Sequence, residues 1–183
     1  MKAKMVAGAL LALSAAAGAV PTDSWRDTLH REMPALGHRN WVVVADSAYP
    51  LQTAPGIETI ETGATQEEVL KAVLQELASA KHVSPAIFLD AELPFVPERR
   101  APGVTAYRNE LKELFGSMNA QSVPHEQLIE TLAEAGTTFH ILILKTTLTV
   151  PYTSVFLRLD CKYWGEEDEK ELRQAMRAGA GNK

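Results

Sequence analysis

The segment LGHRNWVVVADSAYP, residues 36–50, places His38 shortly before an apolar run and Asp46 directly after it. An imidazole changes charge near neutral pH and can give or take a proton. A carboxylate beside it can orient the ring or hold hydroxyl groups. Further along the chain His125 opens a helical pattern, and Tyr152 and Ser154 open a strand-like one. These are the residue types of a general acid–base site with hydrogen-bonding partners. Each also has an ordinary reading: His38 as a polar helix-end residue, His125 as a first-turn residue and Tyr152 as a core aromatic. Residue types alone leave both readings open.

Other chemistries find no anchor. The five histidines, His30, His38, His82, His125 and His140, form no i,i+4 pair and join no cysteine pair, so no metal site is expected. A phosphate-cradling GxxxxGK loop, a GxGxxG turn and a GxSxG nucleophile elbow are all missing from the sequence. Asp90 and Glu92 follow the apolar run AIFL as a carboxylate pair at a strand end, where ligands of open sheets often bind. A solvated acidic loop is the commoner explanation of such a pair. The net charge of −5, with Arg99 and Arg100 as an isolated basic pair, argues against a nucleic-acid backbone as partner.

The elements that must position these residues are legible from periodicity. Thr22, Asp23 or Ser24 can cap a helix in which Trp25, Leu29 and Met33 share a face, with Pro34 ending it. WVVVAD is β-branched and apolar at successive positions, the pattern of a strand buried on both faces. A long helix follows in TGATQEEVLKAVLQELASAK, where Thr65 and Glu68 suit a capping box and Val69, Leu70, Val73, Leu74 and Leu77 form one stripe. PAIFLDAEL reads as a second buried strand. TAYRNELKELF and PHEQLIETLAEA read as helices, stopped by Gly116 and Gly136. TTFHILILK and YTSVFLRLD read as strands, joined by TTLTVP. The tail GEEDEKELRQAMRA starts acidic and ends basic, which suits a helix dipole. Alternating strands and helices predict an α/β fold with a central sheet.

Both ends of the chain stand apart from this pattern. Lys2 and Lys4 precede an uncharged apolar run, Met5 to Ala17, and Ala17-Gly18-Ala19 supplies the small residues of a cleavage site. Residues 1–19 therefore read as an export signal, with an uncleaved anchor as the alternative; the run is short for a membrane span. The expected organisation is a signal at 1–19, a domain at 20–160 and a helical extension at 161–183. After cleavage the protein is expected outside the cytoplasm, periplasmic or secreted, with no membrane association. Cys161 is the one cysteine, so no intrachain disulfide supports the fold.

Three motifs in order resemble the D-ribose pyranase / L-fucose mutarotase family (RbsD/FucU), small enzymes that interconvert ring forms of free sugars. The family has Leu-Gly-His, a short apolar strand, an Asp and a proline soon after; here this reads LGHRNWVVVADSAYP. PHEQL resembles the His-Glu-Gln-aromatic turn that opens a late helix in the ribose enzymes. VPYTSVFL is similar to the family's Pro-Tyr-x-Asn before an apolar strand, and YRNELKELF resembles the fucose branch. The likeness runs from about residue 22 to residue 159. It implies His38 as the catalytic acid/base, with Asp46, His125, Tyr152 and Ser154 contacting a monosaccharide in one shared pocket. It also implies a single three-layer α/β domain with a central mixed β-sheet flanked by helices, a homo-oligomer with sites at or near subunit contacts, and no cofactor. The chain departs from the family at Ser154, where the family has Asn, and at Thr147-Leu148, where the family usually has Gly-Glu. These departures suit a non-catalytic sugar-binding or interaction protein on the same scaffold, the alternative to an isomerase.

Overall fold

The computed structural model describes residues 24–180. The expected signal at 1–19 lies outside the described residues, as do Thr22 and Asp23. The elements in chain order are α1 (Trp25–Glu32), a 3-10 turn (Met33–Ala35), β1 (Trp41–Ala45), β2 (Ile57–Glu61), α2 (Gln66–Ser79) and β3 (Val83–Asp90). A second 3-10 turn (Leu93–Phe95) leads to α3 (Val104–Phe115), β4 (Ala120–Val123), α4 (His125–Ala135), β5 (Ile141–Lys145), β6 (Val155–Cys161) and α5 (Glu166–Ala180).

The six strands form one sheet in the order β2-β5-β1-β6-β3-β4. β6 runs antiparallel to both of its neighbours, β1 and β3, while the other pairs are parallel. The sheet is therefore mixed, as the family resemblance implied. One face packs Val42, Val44, Val155 and Leu157 against Leu29 of α1, Val69 and Val73 of α2, and Leu111 of α3. The other face packs Val43, Ile143 and Phe156 against Leu128 and Leu132 of α4. Three layers result. Successive residues of β1 go to opposite cores, which is why WVVVA is apolar throughout.

Local chemistry explains the ends of the elements. Ser24 is the cap of α1, and Asp27 returns the bond to the Ser24 backbone. Thr65 accepts the Glu68 N–H at 3.3 Å, but the Glu68 carboxylate takes Arg26 of α1 at 2.6 Å instead of closing a capping box. Packing of α1 beside α2 supplies that competing cation. Gly136 ends α4 where a side chain would not fit: a Cβ there would lie 2.5 Å from Cγ1 of Ile57, at the start of β2.

Two strands were not expected from the sequence. β2 (IETIE) and β4 (AQSV) are short, polar and at the sheet edges, and they owe their conformation to pairing with β5 and β3. TTLTVP joins β5 to β6, yet these strands are not neighbours, because β1 lies between them. α5 stands apart from the layers with Leu172 and Met176 exposed. No helix among the described residues is long and apolar enough to cross a membrane.

Candidate functional site

The mixed order of the sheet brings three strand ends together. Val155, the first residue of β6, pairs with Val44 of β1 and with Leu89 of β3. Ser154 therefore emerges between Ala45 and Asp90, at the carboxyl ends of β1 and β3. Ligands of open α/β sheets bind outside such ends.

Asp46 follows β1 and is buried. Its Oδ1 accepts the Ala48 N–H at 2.9 Å and its Oδ2 accepts the Ser154 hydroxyl at 3.1 Å. The Asp46 N–H in turn donates to Ser154 Oγ at 3.3 Å. Ser154 has no exposed surface, and its hydroxyl is fully engaged by Asp46. A carboxylate has about four acceptor positions, so Asp46 keeps capacity for a further donor.

Asp90, the last residue of β3, is 1 % exposed. Its Oδ1 lies 3.0 Å from Nδ1 of His125, while its Oδ2 is buried with no hydrogen-bond partner among the described residues. Burial pushes the Asp90 carboxyl up to about 6. The hydrogen bond and charge of His125 oppose that rise, and Glu92 and Asp46 reinforce it. The solvated-loop reading of Asp90 and Glu92 is thus corrected. Asp90 ends a core strand, and both Glu92 carboxylate oxygens accept the backbone N–H of His125, at 3.1 and 3.2 Å. A carboxylate is well placed there, since the first N–H groups of a helix lack intrahelical partners.

His125 opens α4 and is held between two aromatic rings. Tyr152 meets it edge-to-face at 5.5 Å and Tyr49 at 6.4 Å. Burial pushes the Tyr49 phenol well above its ordinary value, with Asp90 and Asp46 adding to the effect. Tyr152 adopts φ 59°, the left-handed region that side chains with a Cβ rarely occupy. Such conformations cost about 1–3 kcal/mol and persist where their surroundings impose them.

Those surroundings are a polar plug beneath the loop between β5 and β6. Gln66, the first residue of α2, is buried and donates to Val44 O at 3.1 Å and to Thr153 O at 2.8 Å. Its Oε1 accepts the Thr146 hydroxyl at 2.6 Å. The Tyr107 hydroxyl also donates to Thr153 O, at 2.6 Å. The Thr153 carbonyl is thereby held against α2 and α3, while Tyr152 packs on His125 and Ser154 bonds to Asp46.

Beside Tyr152 opens a cleft of about 350 Å³, lined by Glu92, Phe95, Val96, Arg100, Pro151 and Tyr152 among others. Small-molecule sites begin at about this size.

His38 lies elsewhere. It precedes β1, with 57 % of its side chain exposed, and its Nε2 is 3.8 Å from Asp160 Oδ1. Together with Arg158 and Trp164 it borders a hollow of about 820 Å³ between the sheet and α5. A five-residue strand is about 16 Å long, and β1 separates His38 from Asp46 by that length. Within one chain Asp46, Ser154, His125 and Tyr152 come to one end of the sheet, where Tyr152 alone of the four lines the cleft and Asp46 and Ser154 are buried, while His38 lies at the other end.

Sequence reasoning missed Asp90 as a partner of His125, and also Tyr49 and Gln66. The available signal was the position of Asp90 directly after the apolar run AIFL, at a strand end where ligands of open sheets often bind. A further tertiary cluster places His140 Nε2 3.3 Å from Glu32 and 3.9 Å from Glu58. These three offer ligand-type atoms within 4.8 Å of one another, and ion pairing of partly exposed groups accounts for them.

The fold has solved counterparts. Bacillus subtilis RbsD, in a structure complexed with D-ribose, matches with TM-score 0.53 at 15% identity, covering 76% of this chain and 95% of that one. The fucose mutarotase of Streptococcus pneumoniae, in complex with L-fucose, matches with TM-score 0.50 at 19% identity, covering 77% of this chain and 96% of that one. No curated protein sequence matches the chain. Of the three sequence motifs, PHEQL at the start of α4 and PYTS before β6 fall at one end of the sheet, and LGH before β1 falls at the other. Residues 26–161, from the second residue of α1 to the last of β6, match the RbsD / FucU transport protein family, and the chain belongs to that family.

Proposed function

We propose that this chain is a monosaccharide mutarotase or pyranase that interconverts ring or anomeric forms of a free sugar by histidine-centred acid–base catalysis. The observation that carries this reading is the convergence of Asp46, His125 and Tyr152 at the carboxyl ends of β1 and β3, beside an open cleft. Opening a sugar ring breaks the bond between the anomeric carbon and the ring oxygen. The ring oxygen gains a proton, and the anomeric hydroxyl loses one as its C–O bond becomes a carbonyl. Reclosure on the other face reverses these transfers. Acid–base help of this kind is worth about 10²–10⁴-fold. The ribose and fucose carried by the two solved counterparts make these sugars the first substrates to try.

In this reading His38 acts as an acid/base group. Because β1 holds it far from Asp46 in its own chain, it can reach the sugar only from a second copy. The proposal therefore includes a homo-oligomer with shared sites. Export after cleavage near Ala19 is part of the same reading, and the amino-terminal mass of protein from the native cell tests it; an intact Met1 on a cytoplasmic form refutes it.

The test of function is saturation-exchange NMR on ribose, fucose and related sugars, with and without the protein. Faster anomer or ring-form exchange supports the proposal. One observation favours a second reading, a sugar-binding protein without catalysis: the Ser154 hydroxyl is buried and bonded to Asp46. Sugar-dependent shifts without exchange enhancement would select that reading.

A further inference from the structure

The ring-opening step needs a proton donor and a proton acceptor at the same time. His38 is one candidate, and it requires a second copy. The chain carries another imidazole at the site, with a partner that no sequence motif announced.

We propose that Asp90 and His125 form a proton-transfer couple in this site, with His125 as a catalytic residue that touches the sugar and Asp90 as the positioning residue that fixes its ring. This rests on the mutarotase reading and adds to it a second acid/base group. The geometry is specific. Asp90 Oδ1 lies 3.0 Å from His125 Nδ1, across 35 residues of sequence, and the Asp90 side chain has no exposed surface. The ring is confined by Tyr152 and Tyr49 edge-to-face, and the His125 backbone is pinned by Glu92. His125 Nε2 makes no hydrogen bond among the described residues, and it is not among the buried polar atoms left unpartnered. The ring keeps 19 % of its side-chain surface exposed. One nitrogen is thus committed to a buried carboxylate, and the other makes no hydrogen bond among the described residues on a partly exposed ring that packs against Tyr152, a wall of the cleft.

The consequence is a fixed tautomer. With Asp90 ionised, Nδ1 carries the proton donated to Oδ1, and the neutral ring presents Nε2 as a lone pair. That lone pair accepts the anomeric hydroxyl proton as the bond between the anomeric carbon and the ring oxygen breaks, and the other acid/base group of the proposed reaction, His38 from a second copy, gives its proton to the ring oxygen. The same nitrogen returns the proton when the ring closes. Asp90 stabilises the imidazolium formed in between through a charge-assisted hydrogen bond. The groups that face this couple are Asp46 after β1, Glu92 after β3, the phenols of Tyr49 and Tyr152, and Asp90 itself. Arg100 is the cation of the adjoining cleft, which Glu92 and Tyr152 also line.

An ordinary structural role for Asp90 is the competing account, and it predicts different measurements. The ring nitrogens of His125 are followed by 15N–1H NMR against pH in the parent, Asp90→Asn and Asp90→Ala, all in the full chain. The expected parent signal is a single neutral tautomer with Nδ1 protonated, retained in Asp90→Asn and converted to a mixture in Asp90→Ala. A tautomer mixture in the parent overturns the couple whether or not any sugar is turned over. The same variants are then compared for sugar exchange. His125→Ala should lower the rate at least tenfold. Asp90→Ala should lower kcat more than it changes KM and should move the pH profile, with Asp90→Asn between it and the parent. Exchange in the parent that survives His125→Ala within twofold overturns this proposal and leaves the mutarotase reading standing. Absence of exchange in the parent with every sugar overturns both.

Discussion

The Ser154 hydroxyl donates to Asp46 Oδ2 at 3.1 Å and accepts the Asp46 N–H at 3.3 Å, so a residue before β6 and a residue after β1 lock each other in place. The pair ties together two chain segments 108 residues apart. It also turns a residue that the family motif places in the sugar site into a support for the carboxylate beside it.

Removing that support should cost stability. Ser154→Ala leaves Asp46 Oδ2 and the Asp46 N–H without this partner in a buried setting. The expected loss is about 1–3 kcal/mol, read from urea unfolding at neutral pH. Ser154→Asn enlarges a fully buried side chain and is expected to destabilise by about 1–3 kcal/mol, because a close-packed site must deform. Unchanged midpoints in both variants would show that the Asp46–Ser154 contact is not formed.

Asp90 makes stability pH-dependent in a defined direction. Its carboxyl is raised from the ordinary 3.8 to about 6 in the folded protein, so the folded state holds a proton that the unfolded state releases. This contribution favours folding fully below about pH 4 and is lost as pH rises through about 6. Its size is about 3 kcal/mol. Asp90→Asn removes the titration, so the variant should gain stability relative to the parent between pH 4 and 7. Urea unfolding at pH 4, 5, 6 and 7 measures the gap, and a gap that stays constant across that range contradicts the buried, raised carboxyl.

Tyr152 separates backbone strain from ligand contact. With φ 59° the position suits glycine, so Tyr152→Gly should recover part of the backbone cost while losing the ring that packs on His125. We expect thermal stability within about 1 kcal/mol of the parent, since the two effects oppose each other. Sugar affinity, measured by calorimetry, should fall at least threefold. Affinity equal to the parent's would place the sugar away from Tyr152.

Gln66 should control the loop from a distance. Gln66→Leu removes one donor from Val44 O and from Thr153 O and one acceptor from the Thr146 hydroxyl, while Tyr107 still donates to Thr153 O and Thr146 to Ala45 O, so the expected loss is about 1–3 kcal/mol in all. Hydrogen exchange should speed up at amides of residues 146–154 more than in β1 or α4. A uniform loss of protection would instead make Gln66 a general core residue.

Chains carrying His38→Ala and chains carrying His125→Ala test the shared site. Each variant alone should have low exchange activity. Co-assembled, they should regain a substantial part of it, because some sites then draw an intact His38 from one copy and an intact His125 from another. No recovery in verified mixed oligomers would exclude His38 from the reaction centre.

The sequence by itself determined the major elements and the family. The unbroken apolar run of β1, the stripes of α2 and α4 and the bounding glycines are local signals, set by periodicity and turn chemistry. LGH, PHEQL and PYTS are also local, and they fell on the expected boundaries. The separation of His38 from Asp46 was implicit too, since an apolar strand places the residues before and after it at opposite ends. Only the tertiary structure decided the rest. β2 and β4 have too little apolar character to announce themselves and become strands because a neighbour supplies the backbone partners. The antiparallel insertion of β6 between β1 and β3 sets Ser154 between Ala45 and Asp90, and no local pattern encodes strand order. Asp90 and His125 meet across β3 and α4, and the burial that raises the Asp90 carboxyl comes from the layers closing over both. Burial and pairing over long sequence separations are properties of the packed chain, so the chemistry of this couple appears only once the sheet and its helices are assembled.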